Sequence, residues 1–186
     1  PADASPFSSS GEASGDSQAP NEEMRAVWLS YLELKPMFSG DFAANIKSCF
    51  ETIKANELNT VFVQVRPFSD ALYPSELFPW SHIITGTQGQ DPGYDPLQVM
   101  IECAHELGLQ IHAWLNPYRI RAGGSWELSA DNPASKWLEE DSDCVVETGG
   151  GLYYNPAREE VISLVVDGVK ELVEHYDLDG IHFDDY

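Results

Sequence analysis

The sequence predicts an α/β fold of parallel strands joined by right-handed crossovers, and three observations carry that expectation. Segments with apolar residues at every second position alternate with segments whose apolar residues recur at helical spacing. Connections from helix to strand are two or three residues long, whereas two of those from strand to helix are far longer. Each helical segment also opens on a capping side chain, Asp41, Asp95 or Asn155. Strand-helix repetition of this kind leaves a barrel or a doubly wound sheet as the two architectures.

Arg25 to Leu32 (RAVWLSYL) reads as the first strand, with Val27, Leu29 and Tyr31 on one face. A helix follows, capped by Asp41, in which Phe42, Ile46, Cys49, Phe50 and Ile53 recur at helical spacing before Asn59. The second strand, Thr60 to Arg66 (TVFVQVR), sets Val61, Val63 and Val65 against Phe62, Gln64 and Arg66. Asp95-Pro96 supplies a cap and a first-turn proline, and the stripe Leu97, Met100, Ile101, Ala104, Leu107 ends at Gly108. Leu109 to Asn116 (LQIHAWLN) is the third strand. Asn155-Pro156 repeats the cap chemistry for a helix to Tyr176 that buries Val161, Leu164, Val165, Val169, Leu172 and Val173, and Asp179 to Asp185 forms the fourth strand.

Residues 1–23 read as a flexible tether, since the first twenty hold six Ser, four Ala, three Pro and two Gly with no Lys or Arg. Such a segment commonly joins an exported domain to a lipid anchor or a signal peptide, so the expected location is extracytoplasmic. The folded part then spans 24–186. Ten Lys and Arg against 31 Asp and Glu give a net charge of -21, which repels phosphate backbones and anionic lipid. Nucleic acid is thereby disfavoured as a partner, and no stretch approaches the roughly 18 to 20 apolar residues that membrane insertion needs. Three widely spaced cysteines exclude a disulfide-dense scaffold and a cysteine zinc site, and Cys49 reads as a small buried hydrophobe.

The two long connections, about Pro67 to Tyr94 and Pro117 to Tyr154, both leave the carboxyl ends of strands, where barrel enzymes and open α/β sheets place their sites. The strand faces that a barrel would turn inward carry Trp28 and Ser30, Gln64 and Arg66, His112, Trp114 and Asn116, and His182 and Asp184. A purely structural interior would be Val, Ile and Leu. The long loops hold eight of the thirteen Trp and Tyr residues, among them Tyr73, Trp126 and Tyr154. Aromatic faces beside hydroxyl and amide donors suit a flat polar ligand with apolar C-H patches, which describes a sugar ring. Sharper motifs fail: His105-Glu106 lacks the second histidine of a zinc-protease helix, and Gly149-Gly150-Gly151 has neither dinucleotide spacing nor a following Walker lysine and reads as a turn.

The runs Gln64 to Tyr73 (QVRPFSDALY), Pro79-Trp80-Ser81, Gly93 to Leu97 (GYDPL), His112 to Arg119 (HAWLNPYR) and Asp179 to Tyr186 (DGIHFDDY) together resemble the bacterial glycosyl-hydrolase-like family 10, over about Arg25 to Tyr186. The resemblance implies a (β/α)8 TIM-barrel of which this sequence supplies about the first four β/α units, in an envelope or secreted protein. It also implies glycoside hydrolysis, with peptidoglycan glycan strands as one substrate, and no cofactor. The last run is similar to the DGFRxD strand of the α-amylases, whose final Asp is the nucleophile. It is similar also to the DGxDxDxE strand of family 18 chitinases, from which His182 and Tyr186 depart.

The expected catalytic carboxylates are therefore Asp184, which alternates inward with His182, and the weaker Asp185, which should point away from the barrel axis. Arg66, Asp70, Tyr73, Trp114, Asn116, Tyr118, Arg119, Tyr154, Asn155 and His182 are the expected contacts of a polysaccharide substrate. Two other classes stay open: a carbohydrate-binding half-barrel without a complete catalytic pair, and a metal-dependent barrel hydrolase using Asp184, Asp185 and His182. A barrel of this type needs about 250 residues. The chain is thus expected to be a fragment of a longer protein, or to self-associate through its open side.

Overall fold

The computed structural model of the chain describes residues 23–123, 126–140 and 142–185; nearly all of the expected tether and Tyr186 lie outside the described residues. Along the chain run β1 (Ala26–Leu29), α1 (Tyr31–Met37), α2 (Phe42–Ala55), β2 (Thr60–Arg66), α3 (His82–Thr85), α4 (Pro96–Glu106), β3 (Gln110–Leu115), β4 (Arg119–Arg121), α5 (Pro133–Glu139), β5 (Val145–Thr148), β6 (Gly151–Tyr154), α6 (Glu159–His175) and β7 (Gly180–Phe183).

β1, β2, β3 and β7 form one parallel sheet in that spatial order, so each crossover moves one strand along in the same direction. Trp28↔Phe62, Phe62↔His112 and Trp114↔His182 are register partners, which places those side chains in rows on one face. The other face carries Val61, Val63, Val65, Ile111 and Ala113, all without exposed surface, packed against Ile46 and Phe50 of α2, Leu97 and Met100 of α4 and Leu172 of α6. Apolar burial of this kind, at roughly 25 cal/mol per Å2, is what holds the helices to the sheet. Asp41 and Asp95 cap α2 and α4 through Ala44 and Gln98 N-H at 3.1 Å, as the sequence predicts.

Three local expectations are corrected. β1 stops at Leu29 because Ser30 caps a helix: its hydroxyl accepts from Leu32 N-H at 3.2 Å while Glu33 accepts from Ser30 N-H at 2.9 Å. Tyr31 therefore begins α1, a helix with Pro36 inside it that strand-like alternation had concealed. α6 begins at Glu159, since Asn155 closes a turn onto Ala157 N-H at 3.1 Å instead of capping the helix, and Val173 lies 56% exposed. Cys49 is half-buried.

The long loop after β3 folds into a unit of its own. β4, β6 and β5 make an antiparallel sheet, in which Gly149 and Gly150 take positive φ in the β5–β6 turn, and Ile120, Cys144, Leu152, Tyr154 and Val161 form a second small core.

Candidate active site

The face of the sheet opposite the helices is aromatic and imidazole-rich. Trp28 stacks on Phe62 with centroids 4.8 Å apart, and Phe62 meets His112 at 4.9 Å and His182 at 4.8 Å. Trp28 Nε1 donates to His182 Nε2 at 3.2 Å, although β1 and β7 are the two edges of the sheet. Three strand spacings amount to roughly 14 Å, so this contact requires a concave face. Burial holds the His112 imidazole below the usual histidine range; Asp179 opposes that shift and His182 adds to it. Gly180 is dictated by this packing, because a Cβ there would lie 2.3 Å from His112 Nδ1.

At the carboxyl end of this face three elements converge. Trp114 Nε1 donates to Asn116 Oδ1 at 3.1 Å, and Asn116 Nδ2 donates to Pro67 O at 3.2 Å and to Asp185 Oδ2 at 3.1 Å. Arg119 donates from Nε to Pro67 O at 3.1 Å and places Nη2 2.9 Å from Asp185 Oδ2. Its guanidinium lies over the Phe68 ring, 5.2 Å from the centroid. Asp185 adopts φ +54°, a left-handed conformation uncommon for a residue with a side chain. That conformation ends the strand alternation and turns the carboxylate toward Asn116 and Arg119, where the sequence predicts it to point away. Asp184 stays exposed, and among the described residues its carboxylate accepts only the adjacent Asp185 N-H, at 2.8 Å. Two neighbouring carboxylates thus sit in different surroundings, one clamped by a cation and an amide and the other open.

Of the predicted contacts, Trp114, Asn116, Arg119 and His182 join this region. Arg66 does not. A register shift between Gln64 and Arg66 reverses the expected alternation, and Arg66 lies 2% exposed, its guanidinium 4.3 Å from the Phe78 centroid and against Gly168 of α6. Asp70 and Tyr73 are fully buried beneath the loop after β2, and burial pushes the Tyr73 phenol up to about 12. Burial pushes the Tyr154 phenol up, opposed by the contact of its hydroxyl with Ser69 Oγ, and Asn155 donates to Asp143 O at 2.9 Å. Tyr118 borders an apolar cleft of about 370 Å3 with Pro117, Val165 and Phe183.

The metal-dependent alternative finds no ligand set. His182 turns Nε2 to Trp28, Asp185 is taken by Arg119, and among the described residues no three His, Cys, Asp or Glu side chains converge on one point. Sequence reasoning passed over His82, which lies 3.0 Å from Asp70; its only local signal is Ser81, the cap of α3.

A parallel β/α sheet with a concave, aromatic inner face and polar groups gathered at the carboxyl ends of its strands is the architecture of part of a (β/α)8 barrel with its site at that end. The chain belongs to the glycosyl hydrolase-like 10 family, whose pattern it matches over residues 23–186. It is 42% identical over 174 residues to glycosyl hydrolase YngK of Bacillus subtilis (strain 168), a match covering 89% of this chain and 33% of that protein. To glycosyl hydrolase DigH of Escherichia coli (strain K12) it is 36% identical over 189 residues, covering 91% and 43%. The chain thus spans between a third and a half of the length of these relatives. Among solved structures, α-L-fucosidase isoenzyme 2 from Paenibacillus thiaminolyticus superposes with a TM-score of 0.58 at 19% identity, covering 88% of this chain and 23% of that one. The maltogenic α-amylase AmyB from Thermotoga neapolitana does so with a TM-score of 0.52 at 13% identity, covering 87% and 39%. These likenesses establish a partial TIM-barrel fold.

Proposed function

We propose that this chain is the amino-terminal part of a glycoside hydrolase that cleaves O-glycosyl bonds in a cell-envelope polysaccharide, with peptidoglycan glycan strands as the preferred candidate, outside the cytoplasm. The observation that carries the reading is the contrast between Asp184 and Asp185. Glycoside hydrolysis needs carboxyl groups in unlike environments, one kept ionised and one free to react or to hold a proton. Asp185, paired with Arg119 at 2.9 Å, organises the end of the site, and Asp184, exposed beside it, is the reacting carboxylate. His182 and Trp114 form the floor beneath the sugar, and Asn116, buried below, holds Asp185 in place.

The test is Asp184→Asn in the full-length protein, which keeps shape and removes charge. Turnover of glycan strands should fall by about three orders of magnitude or more while binding survives. Retention of more than about a tenth of wild-type turnover would exclude Asp184 from the catalytic pair.

A further inference from the structure

We propose that the Asp70–His82 pair and Trp126 form an outlying subsite for an uncharged sugar residue, a proposal that rests on the glycoside hydrolase reading above. Asp70 is fully buried, and its Oδ2 accepts from Gln88 Nε2 at 3.1 Å and faces His82 Nδ1 at 3.0 Å; its Oδ1 has no partner among the described residues. A carboxylate can only accept, so Nδ1 carries a proton toward Asp70 and Nε2 is the ring nitrogen left to meet a ligand. His82 stacks on Trp126, with centroids 4.2 Å apart and planes inclined by 22°. Gln88 accepts from Ser129 N-H at 2.8 Å and from Asn132 Nδ2 at 3.1 Å, which ties the loop after β2 to the loop after β3. The ring is therefore held in orientation from two sides, more firmly than an isolated loop histidine would be.

Beside this pair opens a cleft of about 360 Å3 lined in part by His82, Gln88, Trp126 and Glu127. Gln88 is used in bonding the loops. What remains to meet a ligand is Nε2 of His82, the indole N-H of Trp126 and the exposed Glu127 carboxylate. Polar groups of this kind beside an aromatic surface match the hydroxyl groups of a pyranose, each of which both donates and accepts. A ligand carboxylate would meet Glu127 and lie near the buried Asp70, so an uncharged residue is favoured over an acidic one. Phe68 links the two regions: Arg119 lies over its ring, while His82 and Trp126 pack on it at 5.5 Å and 5.7 Å. One aromatic ring thus separates the subsite from the Asp185–Arg119 pair, the placement expected for a further residue of the same glycan.

The experiment measures calorimetric binding of the N-acetylglucosamine dimer and tetramer to the full-length protein, with Trp126→Ala and His82→Gln as variants and turnover of Asp184→Asn followed separately. Both variants should weaken tetramer binding by about tenfold or more while changing dimer binding little. Unchanged tetramer affinity in Trp126→Ala, or a wild-type protein that does not bind the tetramer, overturns the subsite. Should His82→Gln unfold, Trp126→Ala decides alone, because its partly buried indole lies at the edge of the main core. Loss of turnover in Asp184→Asn with normal tetramer binding in Trp126→Ala overturns the subsite only. Full turnover in Asp184→Asn with weakened binding in Trp126→Ala overturns the catalytic reading only.

Discussion

Trp28 and His182 meet by a 3.2 Å hydrogen bond across the concave face, although their strands are the two edges of the sheet. The indole N-H can only donate, so His182 Nε2 must be the unprotonated nitrogen and the neutral ring carries its proton on Nδ1. Nitrogen chemical shifts should report this tautomer in the wild-type protein. In Trp28→Phe the ring should move toward the other tautomer while the fold is kept. A wild-type His182 with its proton on Nε2 would contradict the contact.

Arg66, buried against Gly168 of α6, and Arg119, paired with Asp185, should separate in experiment. Arg119 bridges Pro67 O and Asp185 with two nitrogens, a geometry that lysine cannot copy, so Arg119→Lys should weaken glycan binding and turnover with little change in melting temperature. Arg66 is buried over Phe78, so Arg66→Lys should lower the melting temperature and leave glycan affinity intact. Calorimetry and thermal unfolding on the two variants check both halves. Weakened glycan binding with intact stability in Arg66→Lys would place that arginine in the cleft.

Gly168 sits inside α6, where alanine would ordinarily favour the helix by ~1 kcal/mol. Here an added Cβ would lie 2.3 Å from Arg66 Nη1 and 3.0 Å from Phe78 Cε2, and the arginine is enclosed on the other side by that ring. Overpacking costs about 1 to 3 kcal/mol. Denaturant unfolding of Gly168→Ala should show a net loss of stability, and a gain would mean that Arg66 relocates freely.

His112 makes stability depend on pH in a defined direction. Its folded-state pKa lies below the ordinary value because of burial, so on acidification the unfolded chain takes up this proton first. Its contribution is intact above the unfolded value, declines as pH falls from there toward the folded value, and then levels off. Melting temperature should therefore drop as pH falls below the ordinary histidine value of about 6.5, and His112→Gln should show a shallower drop. An equally steep dependence in the variant would assign it to other groups.

The sequence by itself determined the four parallel strands, because period-two and period-3.6 patterning and the Asp41 and Asp95 caps are local properties of the chain, while their spatial order was left between a barrel and a doubly wound sheet. β2 falls on Thr60–Arg66 as patterned, and Trp28, Phe62, His112, Trp114 and His182 share the inner face as alternation requires. Only the tertiary structure decided the features that break the period. The register shift before Arg66, the positive φ of Asp185 and the capping box at Ser30 each re-aim a side chain through a change at one or two residues, too short to register against the surrounding pattern. The Asp70–His82 and Asn116–Asp185 contacts join residues 12 and 69 positions apart. Nothing in either segment specifies such a pairing, which follows from how the sheet curls and where the loops cross it.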